Sequence, residues 1–133
     1  MSKKIINASG KRKMAIARAT IKEGKPWVKI NNVSLDIYEP RMAKLRIQEP
    51  LLLAGDVVKK LSISVNVYGG GMTSQADAVR LAIAKALADY NESLRQVFLD
   101  YDRQLLVADV RRRESRKPNS HGKARAKRQK SYR

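Results

Sequence analysis

The chain has 133 residues and a formal net charge of +17, from 29 Lys and Arg against 12 Asp and Glu. Its length suits a single domain, and a hydrophobic fraction of 43% is enough for a core, which excludes disorder of the whole chain. There is no cysteine and only one histidine, His121, so disulfides, thiolate nucleophiles and His-rich metal sites are excluded. We expect neither a metal nor another cofactor. So large a charge repels itself unless it is neutralised, which predicts a polyanionic partner.

The excess charge is concentrated at the C-terminus. Residues 1–110 carry a net charge of +7, whereas residues 111–133 carry +10 and contain no Val, Ile, Leu or Phe. Such a segment cannot bury enough apolar surface to fold alone. We therefore predict a globular domain over 1–110 and an extended basic tail over 111–133 that binds nucleic acid. A solubilising, targeting or membrane-binding tail is the alternative, but an amphipathic membrane helix needs an apolar stripe that this tail lacks.

Membrane insertion and secretion are not expected. No apolar run exceeds four residues, against about 20 for a membrane span. The start, Met1–Ile5, lacks the apolar region of a signal peptide. We therefore expect a cytoplasmic protein with no membrane partner.

The N-terminal part predicts three strands. Lys3–Ala8 and Lys13–Lys22 have strand character and are linked by Ser9–Arg12. The turn sequence Glu23–Pro26 predicts that Trp27–Ile30 is the hairpin partner of the preceding strand.

The middle of the chain predicts short helices followed by a clear strand. Two prolines predict two helices, near Pro40–Ile47 and Pro50–Leu53, each with proline in its first turn. Apolar residues alternate with polar ones through Leu61–Tyr68, which is typical of a half-buried strand.

The last part of the domain predicts two helices. Gly69–Gly71 ends the strand, and Ser74 with Asp77 predicts a capping box at the start of an alanine-rich helix. Asn91 is suited to cap a second helix, and Leu105–Val107 has the composition of a last short strand. The order of elements predicts an α+β fold with a four-stranded sheet covered by helices on one face.

Two motifs favour phosphate binding. Gly69–Gly71 leads from a strand into a helix start, where backbone N–H groups can approach a phosphate closely. Gly10–Lys13, with Arg18 further along, places three consecutive cations at a strand start. A plain strand-to-helix turn and a solvated edge strand guarded by Lys are the respective alternatives.

Enzymatic chemistry is not expected. The carboxylates are scattered, and His121 lies in the basic tail without a fixed neighbour. Trp27 and Tyr38 have the chemistry to stack on bases, whereas the helical spacing of Phe98 and Tyr101 predicts core positions.

Several segments together resemble the family of small-subunit ribosomal protein nine. They are Asn7–Lys13, Ala17–Ala19, Gly69–Ala78 and the terminal Gln129–Arg133. The ending Lys-Ser-Tyr-Arg is similar to the archaeal and eukaryotic branch, whereas the bacterial branch ends in Phe-Ser-Lys-Arg. The short length, without extensions, resembles the archaeal members of the family. The resemblance implies the fold called ribosomal protein S five domain-two-like and a structural role on ribosomal RNA of the small-subunit head. It also implies neighbouring small-subunit proteins as partners.

The resemblance further implies that the tail tip contacts the peptidyl-site transfer RNA (tRNA) during translation, through Lys130, Ser131, Tyr132 and Arg133. The residues expected to contact ribosomal RNA are cations, one histidine, and the glycine segment with its helix start: Lys3, Lys4, Gly10, Lys11, Arg12, Lys13, Arg18, Gly69, Gly70, Gly71, Thr73, Ser74, Gln75, Arg80, Arg111, Arg112, Arg113, Arg116, Lys117, His121, Lys123, Arg125, Lys127 and Arg128. A nonspecific nucleic-acid chaperone and an RNA-processing nuclease of related fold are the rival hypotheses.

Overall fold

The computed structural model of the chain describes residues 4–118 and residue 124. Among these residues, no helix combines the length and the apolar character needed to cross a membrane.

A mixed sheet of five strands forms the body of the domain. Its order is β1-β2-β5-β3-β4, in which β3 is parallel to β5 and the other neighbours are antiparallel. This topology confirms the α+β class, but the expectation of four strands was wrong. The strands are β1 (Ile5–Arg12), β2 (Ala15–Glu23), β3 (Trp27–Ile30), β4 (Val33–Ser34) and β5 (Leu61–Tyr68).

The additional strand is β4, which has only two residues. Asn31 and Asn32 have φ values of 50° and 67° and form the two-residue turn that returns the chain onto β3. Two residues are too few for an alternating pattern to show, which is why the sequence did not predict this strand.

The predicted partner of β3 was wrong. Instead of forming a hairpin with β2, β3 pairs with β5, and Trp27 lies opposite Ser62. The Asn31 side chain continues this ladder, because it donates to the Val67 carbonyl at 3.0 Å and accepts from the Val67 N–H at 2.9 Å. The first link was also misplaced: Ser9–Arg12 belongs to β1, and the turn is formed by residues 13–14.

Three helices follow the predicted order with one merger. They are α1 (Arg41–Ala54), α2 (Met72–Tyr90) and α3 (Ser93–Tyr101). Pro50 lies inside α1, so the expected break into two helices was wrong. An interior proline removes one helical hydrogen bond. Burial of Ile47 and Pro50 on the core side of α1 offsets that loss.

The chain after α3 forms no strand. Leu105–Val107 was predicted as one, but Arg103–Leu105 forms a short 3₁₀ turn in which Leu105 is fully buried. Asp102 caps this turn, since its Oδ1 accepts from the Gln104 N–H at 2.9 Å. The expectation that Asn91 caps α3 was wrong in position: the N-cap is Glu92, and Asn91, one residue earlier, accepts from the Ser93 N–H at 3.1 Å.

One face of the sheet packs on α2, which is also contacted by α1 and α3. Gly10 of β1 lies so close to this helix that a Cβ atom there would be 2.3 Å from the Ala78 carbonyl oxygen. Phe98 is fully buried in the core as predicted, whereas Tyr101 is 56% exposed, so its core assignment was wrong. The opposite face of the sheet carries exposed cations, among them Lys11 and Arg18.

Candidate nucleic-acid interface

The glycine segment lies against the tip of the β1–β2 hairpin. Gly69 and Gly70 have φ values of 78° and 64°, and a Cβ atom on Gly69 would lie 2.4 Å from the Met14 carbonyl oxygen. These two glycines are therefore required by the fold itself. Gly71 has an ordinary φ of −100° and open space around it, so neither backbone strain nor crowding explains this glycine.

The start of α2 differs from the predicted capping box. Gly71 is the N-cap and offers no side chain, so the Ser74–Asp77 assignment was wrong. Gln75 instead donates from Nε2 to the Gly69 carbonyl at 3.1 Å, which ties the helix start to the glycine segment. Thr73 is exposed, and the first turn contains no acidic residue.

Asp77 and Asp109 hold a row of arginines beside this helix start. Asp77 lies 2.6 Å from Arg46 Nη1 and 3.7 Å from Arg12 Nε. Arg12 Nη1 lies 2.8 Å from Asp109 Oδ2, although the angle is too poor for a hydrogen bond. The Arg12 side chain is only 16% exposed, so its guanidinium is positioned by carboxylates inside the domain.

Asp109 also fixes the first residue of the predicted tail. It accepts from the backbone N–H of Arg111 at 2.9 Å and from Nη2 of the same residue at 2.7 Å. These hydrogen bonds hold the pKa of Asp109 well below its usual value. The next residue, Arg112, donates from Nη1 to the Lys13 carbonyl. Residues 111–112 therefore lie on the hairpin tip.

Arg80, predicted to contact RNA, is engaged within the domain. Its Nη2 lies 2.6 Å from Glu49 Oε2 and 3.1 Å from Asp102 Oδ2, and its side chain is 13% exposed. The Gln104 N–H and the Arg80 guanidinium lower the pKa of Asp102. This cluster joins α1, α2 and the end of α3, and its structural role was not predicted from the sequence.

Three of the predicted cations on and beside the first two strands are not paired with carboxylates of the described residues. Within residues 4–118, the side chains of Lys11, Lys13 and Arg18 form no ion pair. Lys4 lies at the other end of β1, where its Nζ is 5.4 Å from the centroid of the Tyr90 ring.

The open face of the sheet adds two cations that the sequence analysis did not select for RNA contact, and it places one of them beside Trp27, which the sequence analysis considered for base stacking. Lys22 lies two positions beyond Thr20 on the same face as Arg18, and Lys29 lies on β3. The Lys29 Nζ is 5.1 Å from the Trp27 ring centroid. Strict alternation along β2 was the signal that could have revealed Lys22.

Comparison with known proteins identifies the family. Residues 10–133 match the family described as Ribosomal protein S9/S16. The chain belongs to this family. It is 47% identical to small ribosomal subunit protein uS9 of Methanothrix thermoacetophila, over 98% of this chain and 99% of the relative. The identity to the uS9 proteins of Methanococcus maripaludis and Methanococcus vannielii is 46% and 45%, with the same coverage.

Membership of the uS9 family confirms the resemblance found in the sequence, including its archaeal character. It also confirms the expectation of a non-enzymatic structural protein of the cytoplasmic ribosome, which acts in translation.

The structure brings some of the predicted site residues together. Lys11, Lys13, Arg111 and Arg112 lie around the hairpin tip, next to the glycine segment at Gly69–Gly71. Arg116 and Lys117 follow in the described part of the tail, where Lys117 pairs with Glu114 at 2.6 Å. The predicted residues that lie outside the described ones are Lys3, His121, Lys123, Arg125, Lys127, Arg128, Lys130, Ser131, Tyr132 and Arg133.

Proposed function

We propose that this uS9 family member is a structural constituent of the small ribosomal subunit whose domain binds ribosomal RNA of the head. Its C-terminal tail contacts tRNA at the peptidyl site during translation. The observation that carries the proposal is the hairpin tip, where Lys11, Lys13 and Arg112 lie together. Gly69 packs against this tip and leads through Gly71 into α2, whose start has no side-chain cap. The sheet with α2 against one face supports the S five domain-two-like fold that the resemblance implies.

In the proposed mechanism the protein binds and does no bond chemistry. Cations at the hairpin tip and on the open face of the sheet neutralise phosphates of folded RNA, and such contacts supply most of the affinity. Gly71 lets the RNA backbone approach the N–H groups at the start of α2. Neighbouring small-subunit proteins complete the surroundings of the domain.

In the proposed mechanism, residues 1–110 and residues 111–133 have different roles. The domain docks, and the basic tail acquires its shape among RNA phosphates, so ordering of the tail accompanies assembly. Lys130–Arg133 then steadies the tRNA electrostatically without reading its sequence. The direction in which the tail leaves supports this division, since Asp109 and Arg112 attach its first residues beside the proposed RNA surface.

Salt dependence tests the domain's part of the proposal. Binding of the protein to the head domain of its ribosomal RNA is measured from 50 to 200 mM salt. With six to ten phosphate contacts, affinity falls by about 10³–10⁵ over this range. Replacing Lys11 and Lys13 by Gln reduces the slope of log K against log salt by about 1.4–1.8, since each phosphate contact contributes about 0.7–0.9.

Lys59→Gln is the matched control, because Lys59 is exposed and already paired with Asp56 at 2.7 Å. A shallow slope for the unmodified protein, or an equal change in the control, contradicts the proposal.

Sedimentation addresses the chaperone hypothesis: a ribosomal protein stays with small subunits in moderate salt, whereas a chaperone spreads over many RNAs.

Removal of Lys130–Arg133 tests the tail's part. The truncated protein should assemble into small subunits as the full chain does, while tRNA dissociates faster from the peptidyl site. Filter binding of labelled tRNA to subunits carrying either protein measures this difference. If truncation instead blocks binding of the domain to ribosomal RNA, the division into two functional parts is wrong.

A further inference from the structure

We propose that the groove between the hairpin tip and the start of the tail binds one unpaired nucleotide of RNA. Its base packs on Met14 and Ile16, and its phosphates meet the surrounding cations. The inference rests on the proposed function, because it names the RNA element that this part of the interface takes.

The groove has a volume of about 790 Å³ and an unusual lining. Its apolar lining consists of Met14 and Ile16, and Met14 is 75% exposed at the hairpin tip. Among residues 4–118, no carboxylate lines it. The described residues that line it are Lys11, Lys13, Met14, Ile16, Arg111, Arg112 and Arg113.

The cationic rim is held in place before any ligand arrives. Asp109 fixes Arg111 through its backbone and its guanidinium, and Arg112 donates to the Lys13 carbonyl. Two of the five cations are therefore attached to the body of the domain. Preorganised groups lose less conformational entropy when a ligand binds, which favours a built site over a chance cluster of charges.

The apolar residues of the groove favour an unpaired nucleotide over a duplex as its ligand. A duplex presents phosphates and sugars, for which cations suffice. An exposed thioether gains from a flat aromatic surface, and only an unpaired base offers one. Tyr68 lies opposite Ile16 in the sheet register and is 54% exposed, so an aromatic side chain of the protein lies on the same face of the sheet as Ile16. The fully cationic rim favours RNA over a peptide.

Matched oligonucleotides test the proposal with the full-length protein at constant salt. One is a short single-stranded oligoribonucleotide, and the other has the same backbone with abasic sites. The base-carrying strand should bind about two- to tenfold more tightly, which is the range of one sulfur–aromatic contact. Met14→Gln should reduce this preference, leaving the part that Ile16 supplies, and should leave affinity for the abasic strand unchanged. Met14→Phe should enlarge the preference.

Met42→Gln is the control, since Met42 is 69% exposed on α1 and does not line the groove. It should keep the full preference for bases. Equal affinity of the unmodified protein for the two strands, or a preference that Met14→Gln leaves undiminished, overturns the inference, while salt-dependent binding still supports the proposed function. Binding that is weak and insensitive to salt for both strands overturns the proposed function as well.

Discussion

Arg12 Nη1 lies 2.8 Å from Asp109 Oδ2, so a residue of β1 is paired with the last acidic residue before the tail. Asp109 in turn accepts hydrogen bonds from three groups of Arg111, namely the backbone N–H, Nε and Nη2. Through this carboxylate the point at which the tail leaves the domain is fixed to the edge of the sheet.

Replacement of Asp109 by Asn should release the start of the tail without unfolding the domain. The amide has one acceptor oxygen and no charge, so it cannot hold both arginines. We expect faster hydrogen exchange at the Arg111 amide and faster tryptic cleavage after Arg111 and Arg112. Asp56→Asn, which changes an exposed carboxylate paired with Lys59, should leave both rates unchanged. Unaltered exchange at Arg111 in the Asp109 variant contradicts the assigned role.

The attachment of the tail should persist at mildly acidic pH. The hydrogen bonds from Arg111 hold the pKa of Asp109 well below the ordinary 3.8 of an aspartate. A carboxylate with a lowered folded-state pKa stabilises the folded arrangement above its unfolded pKa, and the effect is lost as pH falls through the folded pKa. Carbon NMR of the Asp109 carboxyl group should therefore show it still ionised at pH 3.8. Half-protonation at that pH would show that Arg111 does not hold it.

Loss of the Arg80 guanidinium should destabilise the domain. Arg80→Ala leaves Glu49 and Asp102 without their shared partner, at a cost of about 1–3 kcal/mol in the free energy of unfolding. Arg80→Lys should recover only part of this, since it lacks the planar fork. Urea unfolding measures both.

The control for Arg80 is Arg95→Ala, which removes an exposed ion pair with Asp89 at 3.6 Å. Its effect should stay within about 0.5 kcal/mol. If Arg80→Ala unfolds no more easily than this control, its ion pairs are not structural. RNA affinity of the folded Arg80→Lys protein then reports the separate prediction that Arg80 contacts RNA.

Replacement by alanine should change the stability of the domain at Gly10 but not at Gly71. Gly10→Ala places a Cβ atom 2.6 Å from the Ala82 backbone nitrogen, so α2 must move, and we expect a loss of about 3 kcal/mol or more. A Cβ atom on Gly71 would meet no atom within 4 Å, so Gly71→Ala should unfold at the same temperature as the unmodified protein. If Gly71 lies against RNA, the same variant should nevertheless bind ribosomal RNA more weakly. Thermal unfolding and RNA titration of both variants separate the two effects.

Local patterns predicted individual elements well. The alternation through Leu61–Tyr68 gave a strand with the observed bounds, because its apolar residues lie on the buried face of β5, while Asn66 and Tyr68 are exposed on the other face. The alanine-rich helix was predicted because alanine has a high helix propensity, and its small side chain also allows close packing on the sheet. Membership of the family was visible in motifs that lie mainly at the hairpin and the glycine segment.

Partners in space were not predictable in the same way. The pairing of β3 with β5 depends on Asn31 bonding to Val67, 36 residues away. The intact α1 depends on what Pro50 packs against rather than on proline itself. At the interface, charge counts did not separate Arg80, which is engaged by carboxylates, from Lys11, which is not. That distinction arises only from tertiary contacts.

The central place of β5 has a consequence for biosynthesis. β2 and β3 both hydrogen-bond to β5 and not to each other, so the residues before Leu61 contain two hairpins whose inner edges have no partner. Unpaired edges invite pairing with other chains. A nascent chain must therefore keep both hairpins apart from their neighbours until β5 has left the exit tunnel and joins them.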